Sequence, residues 1–287
     1  MLKEVLKNFL KKYFYILRVW DKLSPAVQIS QVKQFQYYQD CKRNNTLPEF
    51  KDTGFKVFSQ FEEDGKLLFI FSVIGMGCKT FVDLGSHDGV NSNCANLIIH
   101  FGWKGLFVDG DKKVIDRGQH FYKKYPDPWC YKPKFLHTFI TAENVNDIIK
   151  NENITGEIEL LSIDIDGNDY WIWKALDIVQ PKVVIIESQV AFGNHNLIVP
   201  YDEKLPSNII TDYYSGASNT ALCNLGKIKG YRLVGSNEYG NNLFFIKNGI
   251  ADNEIPEVTI ESTLKHPFAT EKFLDAALLE KLTFIQE

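Results

Sequence analysis

The chain has 287 residues, with 32 Lys and Arg against 36 Asp and Glu and a net charge of −4. That balance offers no field to draw nucleic acid, while 45% hydrophobic and 14% aromatic content belongs to a globular protein with a full core. Five scattered cysteines (Cys41, Cys78, Cys94, Cys130 and Cys223) make no close Cys-x-x-Cys pair, which argues against a zinc site and for reduced thiols in a cytoplasmic protein.

Residues 2 to 20 place apolar side chains at Leu2, Val5, Leu6, Phe9, Leu10, Tyr13, Phe14, Leu17 and Trp20, close to helical spacing, with Lys3, Lys7, Lys11, Lys12 and Arg18 interspersed. The stretch is too charged to span a membrane and lacks the cleavage site of a signal peptide. A basic amphipathic helix is expected. It packs on the protein or on a second subunit in a homodimer, with peripheral contact to an anionic membrane surface as the alternative. Residues 1–55 thus read as a helical N-terminal extension, looser and more polar from Cys41 to Gly54. Helical patterning returns over Phe61–Ile74.

From Thr80 onward strand-like runs alternate with helices. The strands are expected at Thr80–Leu84, Gly105–Asp109, Lys134–Ile140, Ile158–Ile163 and Val183–Glu187, with helices near 92–101, 112–124, 142–151 and 168–178 between them. Such alternation makes a parallel sheet with crossover helices on both faces. An irregular stretch to about Asn208 has the length of a lid or binding loop. A helix over Ser218–Lys229 precedes Tyr231–Gly235 and Asn242–Lys247, whose short connection demands an antiparallel hairpin. The fold class expected is α/β, a doubly wound, mostly parallel seven-stranded Rossmann-like sheet ending in an antiparallel hairpin. Its domain covers residues 56–248. A C-terminal extension follows over 249–287, with an amphipathic helix at Phe273–Leu282 that closes the domain or makes a dimer contact.

The first strand breaks into Gly85-Ser86-His87-Asp88-Gly89, and the second ends on Asp109. A strand, a glycine loop and a helix, then a strand with an acidic tip, hold a nucleoside-type cofactor on a doubly wound sheet. Glycine lets backbone approach the ligand, and the acid accepts hydrogen bonds from ribose hydroxyls. A dinucleotide fingerprint requires a middle glycine that is missing here, and Asp88 would repel a diphosphate. The cationic, phosphate-free S-adenosylmethionine suits the loop better than NAD.

Further motifs can be read together: Ser59-Gln60-Phe61-Glu62-Glu63-Asp64 before the first domain helix, Leu161-Ser-Ile-Asp164-Ile-Asp166-Gly-Asn-Asp169-Tyr170 at the fourth strand, Pro181-Lys-Val-Val-Ile-Ile-Glu187 at the fifth, Tyr214-Ser-Gly-Ala-Ser218 before the late helix, then Lys229-Gly-Tyr231 and Asn242-Leu-Phe-Phe245. Over residues 56 to 248 the set resembles the FkbM-type family of S-adenosylmethionine-dependent methyltransferases, O-methyltransferases found around polyketide, glycan and surface-polysaccharide pathways. Glu62 departs from that pattern, where glycine is expected, and so does Asp109, one methylene shorter than the expected glutamate. The resemblance implies that Asp83, Gly85 and Ser86 line the methionine end of the cofactor, with Gly89 at the helix start. Asp109 would take the ribose hydroxyls, Gln60 and Asp64 would reach the amino-acid moiety, and His137-Thr138-Phe139 would border the adenine. Phe139 itself reads as a core residue, because aromatics in apolar strands usually pack.

Methyl transfer to an alcohol needs the nucleophile held in line and its proton removed, or its oxygen polarised by a metal. Reactive groups gather at the carboxyl ends of the strands, where Asp164, Asp166 and Glu187 are expected. Carboxylates that close share a cation or a proton. Asp164 and Glu187 are therefore candidate ligands for Mg²⁺ or another divalent cation, or one of them is a base with a raised pKa. His195 is the imidazole candidate for a base, with Asp169 and Asn194 as further members. Trp103, Trp129, Trp171 and Trp173 read as packing residues. The activity expected is O-methylation of a small-molecule or glycan acceptor, set against a binding or scaffold protein that keeps the fold without turnover.

Overall fold

Strand β1 (Thr80–Leu84) is apolar apart from Thr80 and Asp83 and is buried on both faces from Phe81 onward, as an interior parallel strand must be. It is the third strand, beside the central β4, of a seven-stranded sheet of order β3-β2-β1-β4-β5-β7-β6. The remaining strands are β2 (Lys104–Asp109), β3 (Lys134–His137), β4 (Gly156–Ile163), β5 (Val179–Glu187), β6 (Tyr231–Ser236) and β7 (Asn242–Lys247). The first five run parallel, and β7 enters antiparallel between β5 and β6. The chain moves outward from β1 to β3, then returns to the other side of β1 as β4. The switch point between β1 and β4 is where such sheets open a crevice at their strand tips.

The computed structural model describes residues 25–124, 131–202, 214–280 and 282–285, together with Lys3, Val5 and Leu6. The expected N-terminal amphipathic helix therefore lies outside the described residues except for those three, which are helical and exposed. Trp129 and part of the long loop also lie outside. Among the described residues no helix is long and apolar enough to cross a membrane.

Beyond the N-terminal stretch, helices α1 (Pro25–Arg43) and α2 (Glu63–Ile74) lead into the sheet. Helix α2 is mostly apolar after a polar first turn and is buried, between α1 and the sheet. Tyr38 of α1 meets Phe69 of α2 edge-on at 5.1 Å. Helices α3 (Ala95–Phe101), α4 (Lys112–Lys124), α5 (Val145–Asn151) and α6 (Asp169–Ala175) are the crossovers, and α7 (Asn219–Ile228) leads into the hairpin. The core divides into one layer on each sheet face. Trp103 packs with Phe71 and Phe81 in one layer, and Trp173 packs with Tyr231 and Phe245 in the other. Trp171 is half-buried and donates its indole N–H to the Val199 carbonyl at 2.9 Å. All three behave as packing residues.

The structure departs from the sequence expectation at several element boundaries. Strand β3 stops at His137, because the Thr138 N–H donates its last ladder-like bond to the Asp109 carbonyl and the chain then turns away. Helix α3 starts three residues late, since Ser92 and Asn93 are drawn to the β1 and β4 tips by their side chains. Strands β4 and β5 begin earlier than expected, at Gly156 and Val179, so α6 is cut short at Ala175. Finally, the helix expected over 273–282 shrinks to the single turn α9 (Ala276–Leu279), after a short α8 (Pro267–Thr270). Leu274, Leu279, Leu282 and Phe284 instead fold over Phe192, Leu197, Val199 and Tyr214. Ile285 bridges Ile198, which also bridges Ala217, so the C-terminal extension straps the loop after β5.

Candidate active site

The tip of β1 carries Asp83, buried at 3% exposure, whose Oδ2 accepts the Ser92 hydroxyl at 2.6 Å. Burial pushes its carboxyl up to about 6, against the lowering effect of hydrogen bonds from Ser92, Ser162 and Cys94. At Gly85 the chain turns with φ of +80°, and a Cβ there would lie 1.6 Å from the Asp164 carbonyl oxygen. Only glycine lets the β1 and β4 tips touch. The N–H groups of Gly85 and Ser86 both donate to the Val108 carbonyl, folding the loop over β2. Ser86 Oγ is buried and has no hydrogen-bond partner among the described residues. At the far end of the loop, a Cβ on Gly89 would sit 2.8 Å from the Phe107 ring.

His87 occupies the position where a dinucleotide loop has its middle glycine. Its φ of +51° is unusual for a residue with a side chain, and its N–H donates to Asp109 Oδ2 at 2.8 Å. Asp109 Oδ1 accepts the Asp111 N–H at 2.8 Å, so the acid at the β2 tip is fixed by two backbone donors. Asp88 does not face the cavity. Its Oδ1 takes the N–H groups of Val90 and Asn91, and its Oδ2 takes Arg117 Nε at 2.8 Å. Burial would raise this carboxyl, yet those three donors hold it below its ordinary range. With that charge already met by Arg117, the argument that Asp88 repels a diphosphate falls. The absent middle glycine, with His87 in its place, is what remains against one.

The neighbouring tips of β4 and β5 bring Asp164, Asp166 and Glu187 together, with one carboxylate oxygen of each within 4.8 Å of the others. Burial first, then the charges of Asp169 and Asp166, push Asp164 up to about 8. Burial and then the charge of Asp164 push Glu187 well above the usual carboxylate range. Asp166 is exposed and sits at φ of +58°. What holds it there is Asp169, whose Oδ1 accepts the Ile165 N–H at 2.9 Å and whose Oδ2 accepts the Gly167 N–H at 3.0 Å. Asp169 is a brace for the β4–α6 loop and not one of the converging group. Three hard oxygens in this arrangement fit a divalent cation completed by water, and equally a shared proton.

Gln60, Asp83, Gly85, Ser86 and Asp164 line one small polar cavity, together with Asn93, Ser162 and Asn242. Asp64 is not in that lining. Its Oδ2 accepts the N–H groups of Val57, Phe58 and Ser59 at 2.7, 2.6 and 2.9 Å, which curls the lead-in, and its buried Oδ1 has no partner among the described residues. Burial raises this carboxyl to about 6. Glu62, at the position where the family pattern has glycine, lies against Gly54 and bonds the Glu238 N–H, with Lys66 Nζ 3.6 Å away. The odd residue is thus absorbed as a half-buried link between lead-in and hairpin turn.

Some expected members stay apart. His195 is exposed, is not one of the converging group, and sits on a loop tied to α7 through Asn194 to Thr220 and Asn196 to Asn224. Its place as the base is not supported by this arrangement. Thr138 is half-buried at the end of β3, next to Asp109 through its backbone. Phe139 is 49% exposed and lies over Gly110, which corrects the reading of it as core: β3 has ended two residues earlier, so its ring is not drawn inward. Ser92, Asn93, Ser162 and Asn242 were not singled out by sequence as site residues. Their signal was a small polar side chain at the edge of an apolar strand or at a helix start, which is common elsewhere. A much larger cavity, about 1080 Å³, lies between Phe50, Lys66, Gly235 and the C-terminal extension. It contains none of the strand-tip carboxylates, so volume does not mark the chemistry here.

No protein-family model and no curated protein matches the chain. Among solved structures, it is similar to an O-methyltransferase from Bacillus cereus in complex with S-adenosylhomocysteine, at 14% identity and a TM-score of 0.35 over 56% of this chain and 69% of that one. It is also similar to the glycopeptide N-methyltransferase MtfA with sinefungin, at 10% identity and 0.39 over 70% and 91%. A third is spermidine synthase from Thermotoga maritima, at 13% identity and 0.38 over 73% and 69%. Likenesses this faint decide nothing about this chain. Its fold class rests on its own strand order.

Proposed function

We propose that this protein is an S-adenosylmethionine-dependent O-methyltransferase of the FkbM type, acting on a hydroxyl of a sugar or sugar-containing metabolite. The observation that carries the reading is the meeting of the Gly85 loop with the Asp164–Glu187 carboxyl pair at the switch point of the sheet. A cofactor-holding loop and a proton-accepting group lie on adjacent strand tips, as group transfer between two bound molecules requires. The residues present also fit the cofactor. Ser86 offers a buried hydroxyl without a partner, Asp109 is held by backbone N–H groups with lone pairs to spare, and Phe139 exposes a ring beside them.

In this reading Asp83, Gly85 and Ser86 hold the methionine end, Asp109 the ribose, and Thr138 with Phe139 the adenine. Bound there, S-adenosylmethionine supplies a sulfonium methyl group for an oxygen nucleophile. The chain orients the acceptor at the β4 and β5 tips and takes its hydroxyl proton on the Asp164–Glu187 pair, with Asp166 beside the acceptor. Asp164 and Glu187, joined by Asp166, are also the residues that would hold Mg²⁺ or another divalent cation, which would polarise the acceptor oxygen. The sugar acceptor follows from the family resemblance alone.

Isothermal titration with S-adenosylmethionine and S-adenosylhomocysteine tests the reading. Micromolar binding of both, weakened in Asp83→Ala and Asp109→Ala, is expected. Absence of binding to either would sink the enzyme and leave a scaffold protein.

A further inference from the structure

Two motifs from opposite ends of the domain meet inside the protein. Glu63, at the start of α2, is fully buried. Its Oε2 accepts the Phe61 N–H at 2.9 Å, and its Oε1 accepts Asn237 Nδ2 at 3.0 Å and Asn242 Nδ2 at 2.9 Å. Asn237 in turn organises the β6–β7 turn, accepting the N–H groups of Gly240 and Asn242 and donating to Asn241 Oδ1. Asn242 is 5% exposed and lines the same cavity as Gln60, Asp83 and Ser86.

We infer that Glu63 is a positioning residue that fixes the Asn242 amide so that its carbonyl oxygen faces the cavity and accepts a hydrogen bond from the α-ammonium group of S-adenosylmethionine. A side-chain amide has one donor end and one acceptor end. Turning Asn242 over would set its oxygen against Glu63 Oε1 and leave two buried acceptors without a proton between them. The end turned to the cavity is therefore the oxygen, and it selects a donor. The cavity belongs to the β1 and β4 tips, whereas Asp109, the partner for ribose hydroxyls, is not in its lining. The ammonium is the donor left at that end of the cofactor.

The inference rests on the cofactor reading above and is tested apart from it. The ligands are S-adenosylhomocysteine and 5′-methylthioadenosine, which keeps the nucleoside and lacks the amino-acid group. Asn242→Ala is expected to weaken S-adenosylhomocysteine about tenfold, the loss of one hydrogen bond to a charged group, and to leave methylthioadenosine within about twofold. Glu63→Gln introduces an N–H among the converging donors, so it should give a smaller loss with the same ligand selectivity. The double variant should lose no more than Asn242→Ala alone, since Glu63 acts through Asn242. Equal weakening of both ligands, or none of either, would overturn the inference while the cofactor reading stands. If Glu63→Gln fails to fold, Asn242→Ala at the cavity wall decides alone. A wild-type protein that binds neither ligand removes the cofactor reading and this inference together.

Discussion

The two halves of the strand-tip crevice treat charge in opposite ways. At the β1–β2 half each acid has a donor: Asp88 has Arg117 and two backbone N–H groups, Asp109 has the N–H groups of His87 and Asp111, and Asp83 has Ser92, although burial still raises Asp83 to about 6. At the β4–β5 half, Asp164, Asp166 and Glu187 crowd together with no cationic side chain in the group, and burial and repulsion raise the carboxyls of Asp164 and Glu187. A settled half suits a ligand that is only held. A strained half suits a group that must take up a proton or a cation during turnover.

Removing the strained half should have the largest effect. Asp164→Asn and Glu187→Gln are each expected to lower kcat by about 10² to 10⁴, the usual worth of a general base, with cofactor affinity changed much less. Single-turnover methylation and titration of the same preparations separate the two; equal losses in both would merge the halves. Removing the settled half acts on binding: Asp109→Ala is expected to raise the cofactor Kd about ten- to a hundredfold with a smaller change in saturated turnover.

The pH dependence follows from the same contrast. Asp164 titrates near 8 in the folded chain against 3.8 as its ordinary value. The folded state therefore keeps a proton that the unfolded chain releases, and stability falls as pH rises from about 4 to about 8. Asp164→Asn, inactive, should consequently melt higher than wild type at pH 8 to 9, with the gap closing towards pH 4. Wild-type turnover should climb with pH through the same upper limb. If a divalent cation replaces the proton, added Mg²⁺ should move that limb downward, and exhaustive EDTA treatment should abolish activity; unchanged activity would leave the protein carboxyls as the sole base. The smallest effect is expected at the rim. Phe139→Ala should weaken cofactor binding about fivefold through lost stacking and leave the melting temperature nearly unchanged, because the ring is half exposed. A large fall in melting temperature would return Phe139 to the core.

Most of the sheet was legible because buried parallel strands are short apolar runs bounded by turn residues, and β1, β2 and β7 match their expected positions within a residue. The converging carboxylates were legible for a related reason: residues at the carboxyl ends of β4 and β5 must share one end of a parallel sheet. The C-terminal helix was misread because Leu274, Leu278 and Leu282 have helical spacing, yet the apolar contacts of Leu274, Leu279 and Leu282 lie with Phe192 and Val199 on a loop, and tertiary packing overrides periodicity in so short a segment. His195 looked like a base because nothing local distinguishes an exposed loop histidine from one aimed at a site.

By itself the sequence determined the order of elements, the glycine turn after β1 and the set of acids delivered to the strand tips, since period, glycine and strand ends are local properties. Only the tertiary structure decided which of those acids is free for chemistry. Asp64, Asp88 and Asp169 look in sequence like Asp83 and Asp164, and backbone N–H groups in their own loops claim them. The bond from Glu63 to Asn242, 179 residues away, exists only because the hairpin inserts β7 beside β5. Hydrogen-bond partners are set by who arrives in space, and the chain order holds no record of that.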